Sequence, residues 1–450
     1  MHNKNFFLLI LILIAPVSHL LSQDATLKDT TSILNLTLKD AQDYAMRNNK
    51  MVISAQLDVD ASKDTYWEAI SAGLPQINVS GSLNDNLRLM TTLLPGELMG
   101  QPGTKIPVSF GTQFSTGATM QATTLIFNAP YVIGIETAKV AEKLNRHNLQ
   151  RSELDTKETV SVTYFLILMS ERSLEIVENN ITNLRETLKA TRAMLAAGMA
   201  EPTDVDQMES NVKMVENSRN QLERTIEVNY NLLRFQLGVP AGTRIVLKDD
   251  LTSLTAQINV EALLSKEFDY TQNVSYILTD DQEKMSVLAL KGKKAALLPS
   301  LAGFYTYGIN GMGDKLSDLR WFKNSIIGLQ LSVPIFSSGN RYSSIRKAQI
   351  NVEKARMAKE MVSEQLLIQE KQLRYNLVNA NMQYQTQKEN VEISKRIYQS
   401  MENKFRHGMA SSIELTQSNS LYLQAENNCI SALFTLFQTK IALDKLLNNL

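Results

Sequence analysis

Asp204 and Glu414 each follow a glycine by six residues, in two segments that nearly repeat one another: AGMAEPTDVDQ (197–207) and HGMASSIELTQ (407–417). A carboxylate at such a place suits the first turn of a helix, where the positive end of the backbone dipole favours it. The glycines, Gly198 and Gly408, supply the left-handed residue that a tight helix end needs. Other reactive types are sparse. His2, His19, His147 and His407 show no metal-ligand spacing; His407 precedes a helix end and reads as a dipole partner there. The single cysteine, Cys429, falls on a helix seam as a small packed residue and has no second Cys for an internal disulfide. No G-x-x-x-x-G-K-[ST], H-E-x-x-H or G-x-S-x-G pattern occurs, so ATPase, zinc-protease and serine-hydrolase chemistry have no support. No cofactor is implied, and an exported enzyme is the least supported class.

The elements that would carry these residues come in two similar halves. Lys plus Arg equals Asp plus Glu, 46 each, so no nucleic-acid partner is implied. An N-terminal run, Phe6 to Ala15 after Lys4, is too short to span a bilayer and fits a secretory signal, with cleavage near Ser22–Gln23. In the first half a helix over about 50–72 reaches GLPQ, and INVSGSLN then alternates with Ile77, Val79 and Leu83 on one face, as a strand does. TLLPGELMGQPGTKIP reads as a Gly/Pro-rich loop before a strand over about 108–126. The second half repeats the order: a helix over 281–297, a strand with Leu301, Tyr305, Tyr307 and Ile309 on one face, and a strand with Ile327, Leu329, Leu331 and Val333 on one face. After each strand pair comes a very long helical segment, 135–197 and 340–407, with no proline or glycine break. At ~1.5 Å per residue each reaches roughly 90–100 Å. Shorter helices return beside them, over about 203–236 and 411–449, with apolar and small residues at 3–4 spacing (Leu415, Ser418, Tyr422, Ala425, Cys429 and onward). Arg219 interrupts one such seam; it could line a lumen or pair across helices.

Four amphipathic strands cannot close a membrane barrel alone, because every backbone group must be paired there. The chain must therefore oligomerise; two copies would give eight strands and three would give twelve. Tyr305, Tyr307, Trp321 and Phe322 suit an interfacial girdle. Barrel strands at one end and ~100 Å hairpins at the other read as a conduit, its barrel in an outer membrane and its helices crossing the periplasm.

The chain from about 35 to 450 resembles the TolC-type outer-membrane channel family. The resemblance is carried by the duplicated layout, LLRFQLGVP (232–240), KKAALLPSL (293–301), LSVPIFSSGN (331–340) and the two Gly-Met tips. It implies a mainly α fold with a β-barrel part: a homotrimer in which each protomer gives four strands to a shared twelve-stranded barrel and long helical hairpins to one periplasmic tunnel. The corresponding organisation is a signal peptide (1–22), an N-terminal segment with the first helices (23–74), strand pair 1 (75–127), helical hairpin 1 (128–238), an equatorial region (239–280), a helix (281–298), strand pair 2 (299–336) and helical hairpin 2 (337–450). It also implies a passive exit duct of a tripartite efflux or type I secretion system, docked to a periplasmic adaptor and an inner-membrane transporter that is proton-driven or ATP-driven. Glu414 then matches the first acid of a ring at the periplasmic entrance, and Gln417 stands where a second acid would deepen it. Gly198, Met199, Gly408 and Met409 match adaptor-contacting tips, while Asp204 is a helix-start acid. Without a pore, Glu414 serves only the helix dipole and the tips are plain turns. The competing class is a soluble periplasmic coiled-coil adaptor or scaffold, which has usually one hairpin followed by β-domains.

Overall fold

The computed structural model describes residues 33–95, 100 and 103–450; the signal segment 1–22 lies outside them. A short strand, β1 (Ile33–Leu36), leads into α1 (Leu38–Asn48) and α2 (Lys50–Ser71). Four strands follow: β2 (Gln76–Asp85), β3 (Met90–Pro95), β4 (Lys105–Phe110) and β5 (Phe114–Phe127). Two helices, α3 (Ala129–Ala196) and α4 (Pro202–Leu237), make the first hairpin. Then come β6 (Arg244–Leu247), α5 (Leu251–Ala256), α6 (Val260–Leu264) and α7 (Val274–Ala295). The chain closes with β7 (Ser300–Gly313), β8 (Arg320–Ser332), α8 (Asn340–Arg406) and α9 (Ser412–Leu446). With 68 and 67 residues, α3 and α8 are each about 100 Å long.

Local chemistry sets these boundaries. The Asn128 side chain accepts the Tyr131 N–H at 3.0 Å, so α3 starts at Ala129, ahead of the proline- and glycine-free stretch that begins at 135. Likewise Asn273 caps α7, which begins at Val274 and not near 281. The loop expected at TLLPGELMGQPGTKIP is flanked by a hairpin: β3 pairs antiparallel with β4 from Met90↔Phe110 to Pro95↔Lys105. What was expected as one strand over 108–126 is therefore two, β4 and β5. Pro95 ends β3 and Pro107 stands opposite Leu93 in a two-stranded sheet, whose strands are both edges, where proline is tolerated.

The main sheet runs β2-β5-β7-β8 and is antiparallel throughout. Its register puts Ile77, Ala122, Tyr305 and Ile327 in one cross-strand row, and Asn78, Gln121, Thr306 and Ile326 in the next. Because side chains alternate, one face collects Ile77, Val79, Leu83, Leu329 and Leu331, all exposed, and the other collects Asn78, Ser80, Ser82 and Asn84. A sheet apolar on its outside and polar on the other side is what a lipid-facing barrel wall needs. The aromatic girdle needs correcting. Trp321 lies on the apolar face near the strand's start, whereas Tyr305 and Tyr307 sit on that face at mid-sheet. Phe322 turns to the opposite face, opposite Asn310.

The folded core lies at mid-height of the helices. Phe165 of α3 stacks on Phe437 of α9 with ring centroids 3.9 Å apart, among Leu377, Leu433, Leu436 and Ile441. A second cluster joins α3 and α4 to α1, β1 and β6 through Val160, Tyr164, Ile167, Leu233, Leu237, Ala41 and Ile245. The Tyr164 hydroxyl donates to Asp249 Oδ2 at 2.9 Å, and the same oxygen accepts the Leu38 N–H at 2.6 Å. Burial and that carboxylate push the Tyr164 phenol well above its ordinary pKa. Gly238 explains the LGVP signature: it ends α4 in the left-handed region (φ +71°), and a Cβ there would come within 2.1 Å of the Asn48 carbonyl oxygen. In this way a parallel β1–β6 pair and α5 and α6 wrap the middle of the rod. Among the described residues no helix is long and apolar enough to cross a membrane.

Candidate functional site: helix tips and tunnel face

Both hairpins turn in the same way. The Gly198 N–H donates to Leu195 O (3.0 Å) and the Met199 N–H to Met194 O (2.8 Å); the Gly408 N–H donates to Phe405 O (2.9 Å) and the Met409 N–H to Lys404 O (2.8 Å). These are paired Schellman bonds, and both glycines are left-handed, φ +73° and +69°. The same reversal made twice is why the short peptide is written twice. Met199 and Met409, 74 % and 70 % exposed, project at the turns. His407 caps α8 and shares its Nδ1 with the Asn403 carbonyl at 2.7 Å.

The two carboxylates are not equivalent. Glu414 is exposed, and its Oε2 accepts the Ser411 N–H (2.8 Å) and hydroxyl (2.9 Å), while Ser411 Oγ accepts the Glu414 N–H (3.2 Å). This is a capping box, and its hydrogen bonds, the backbone one foremost, hold the Glu414 carboxyl below its usual pKa. Asp204 accepts the Glu201 N–H at 3.0 Å through one oxygen and the hydroxyl of buried Ser412 at 2.5 Å through the other. The Ser412 bond is the chief cause of its lowered pKa. Asp204 thus ties the start of α4 to the start of α9, fastening one tip to the other. Ser412→Ala is expected to weaken that link by about 1 kcal/mol at neutral pH, a charged hydrogen bond discounted for its partly exposed site. Because the folded Asp204 pKa is depressed, the link is full above the unfolded value near 4 and is lost as pH falls through the folded one. Tip proteolysis compared at pH 7 and pH 3 checks this: wild type should approach the variant only at the acid end.

Residues 41–239 and 291–449 match the model of the outer membrane efflux protein family. The chain belongs to that family. It is 23 % identical over 323 residues to outer membrane protein TolC of Vibrio cholerae, covering 69 % of this chain and 68 % of that one. The VceC outer membrane protein of Vibrio cholerae superposes with a TM-score of 0.70 at 12 % identity, covering 91 % of this chain and 95 % of that one. The Campylobacter jejuni CmeC outer membrane channel gives 0.70 at 16 %, covering 92 % and 85 %. This efflux protein is accordingly an outer-membrane channel protein and not an enzyme, and its family excludes the soluble scaffold.

Along α9 of this efflux protein, Glu414 opens a solvent-facing stripe that continues with Gln417, Ser420, Gln424, Asn427, Ser431, Thr435 and Gln438. The spacing is 3–4, like that of the buried seam on the opposite side, and after Glu414 these seven carry no charge. The seam itself is packed as its spacing requires: Leu415, Ser418, Ala425, Ala432, Leu436 and Leu443 are buried, and Cys429 is half-buried. Arg219 pairs with neighbours on its own helix, Asn220 at 2.8 Å and Glu223 at 3.6 Å.

Several contributors escaped the sequence reading. Ser411 was legible as the start of an S-x-x-E capping pattern, and Ser412 was not. Asn180 and Asn419, both buried, exchange amide hydrogen bonds between α3 and α9 (2.6 and 3.4 Å), which no sequence spacing reveals. His147 faces buried Asp281 at 2.6 Å, tying α3 to α7. Among the described residues no cluster of three or more possible metal ligands occurs.

Proposed function

We propose that three copies close one twelve-stranded barrel and one helical tunnel, forming the passive exit duct of a tripartite efflux or type I secretion system. The observation that carries this is the four-stranded sheet, whose outer strands β2 and β8 each have one partner within the chain and whose apolar face is bare. In a bilayer those edges need partners, and only another copy offers the complementary one. A second feature agrees. Met361, Ile368, Tyr375 and Met382 of α8 recur at seven-residue steps and are 62–70 % exposed, an apolar seam that the chain leaves unpartnered.

In such an assembly the uncharged α9 stripe faces the lumen. Three Glu414 carboxylates ring the periplasmic entrance, with Gln417 one turn inside adding hydrogen bonding without charge. The ring attracts cations. The tips at Gly198, Met199, Gly408 and Met409 dock a periplasmic adaptor, their thioether side chains adapting to its surface. An inner-membrane transporter supplies the energy. Asp204 stays in its structural post. Wild-type protein in planar bilayers should show cation-selective currents, and Glu414→Ala should lower that selectivity at pH 7. Identical selectivity in the two would assign Glu414 to helix capping alone. Absence of any current from membrane-inserted protein would sink the duct itself.

A further inference from the structure

The β3–β4 hairpin has no evident use in the sheet it grows from. It leaves the main sheet after Asp85 and rejoins it at Phe114, at the end opposite to the helices, and so on the extracellular side of the membrane. Asn86 anchors its base by donating to Gln113 O (2.7 Å) and Thr112 O (3.0 Å). Its register puts Met90, Leu94, Ile106, Val108 and Phe110 on one face. Met90 and Phe110 are exposed, as is Leu87 at the base. A two-stranded hairpin alone is marginal in water, and one showing an apolar face is worse placed still.

The surroundings of β2 say what covers it. β2 is a free edge, and the strand order leaves β8 of another copy as its partner in any closed cylinder. The two strands run in opposite directions, so the outer end of β2, at Asp85, meets the outer end of β8, at Arg320. Beside Arg320 stand Trp321, on the apolar face of the sheet, and, in the preceding turn, Leu316, each 55 % exposed. Met90 is five residues beyond Asp85, about 17 Å of extended chain, enough to reach that turn.

We propose that the β3–β4 arm is an intermolecular strap: its apolar face closes over Leu316 and Trp321 of the adjoining copy at the extracellular rim. The inference rests on the trimeric reading above. It makes the arm part of the assembly and not a surface loop.

The test is a cysteine pair, Met90→Cys with Leu316→Cys, in full-length protein carrying Cys429→Ser, purified in detergent and oxidised with copper phenanthroline. Covalent dimers and trimers on denaturing gels are expected, and neither single-cysteine protein should form the trimer. A non-covalent trimer that stays uncrosslinked overturns the strap and leaves the barrel reading standing. A second measurement covers the rival occupant, the lipid leaflet. A bimane label on Met90→Cys should resist quenching by brominated phospholipid, and strong quenching overturns the strap. If glutaraldehyde links no wild-type copies at all, the trimeric reading has failed, and the strap with it. Replacing residues 87–112 by a short Gly-Ser turn should lower the temperature at which the trimer dissociates; an unchanged temperature also counts against it.

Discussion

Ile327→Arg is expected to cost about 2–4 kcal/mol per copy in barrel stability, the price of a guanidinium near the middle of a bilayer. Ile327 is 83 % exposed in the single chain and pairs with Tyr305 at mid-sheet, on the face that bears Ile77, Leu329 and Leu331. In a closed trimer the substitution would place three charges in one ring at the same depth, so the effect is multiplied and not merely added to the surface. Gln121→Arg is the control. It lies one row away on the polar face, opposite Thr306 and Asn78, where an arginine meets water. The expected result is a large fall in the urea midpoint of vesicle-inserted protein for Ile327→Arg, and little change for Gln121→Arg, which should shift ion selectivity toward anions instead. Equal destabilisation by both would mean that the two faces do not differ in environment, and that the apolar face does not meet lipid.

Phe437→Ala should have the largest effect outside the membrane, about 3–5 kcal/mol. The ring is 2 % exposed and stacks on Phe165 in the cluster that holds α3, α8 and α9 together at mid-height. Its removal opens a cavity in the largest apolar cluster uniting the long helices; a smaller one joins α3, α8 and α9 nearer the tips through Met194, Tyr398, Phe405 and Leu415. Toward the tips buried polar residues, Asn180, Thr187, Thr191, Asn211, Ser412 and Asn419, are interleaved with buried Met208, Tyr398, Phe405 and Leu415. A loss of that size is a large fraction of the 5–15 kcal/mol typical of a folded domain. Thermal unfolding followed by circular dichroism should show an early transition of the helical part, and Phe437→Leu should recover much of the loss by refilling the volume. A transition unmoved by Phe437→Ala would show that the mid-height cluster is not what unites the rod.

Much of this fold is written in periodicities that survive without any tertiary knowledge. The alternation of Ile77, Val79 and Leu83 and of Ile327, Leu329 and Leu331 announces strands, and the uninterrupted 3–4 seams announce the long helices and the face each one buries. The Gly-Met pairs mark both reversals because only a left-handed residue completes the cap. Legibility fails where structure depends on pairing between distant segments. Proline and glycine around 95–107 looked like a loop, and cross-strand register turned its flanks into a hairpin. Phe322 looked like a girdle residue from its type, and its parity in β8 sends it to the other face. Ser412 reaches Asp204, 208 positions away in sequence, and Asn180 reaches Asn419. Such links arise only after the helices have packed. The tip carboxylates were legible as helix-start acids, while the difference between them, one locked and one open to solvent, follows from which hydroxyl each one meets.

Native mass spectrometry of the mature protein released from outer membrane into detergent bears most directly on whether neighbouring chains complete one another's sheet. A particle of three chains, persisting after dilution, is expected. A stable, folded single chain would contradict it, because β2 and β8 would then hold their edges open in the bilayer with nothing to pair them.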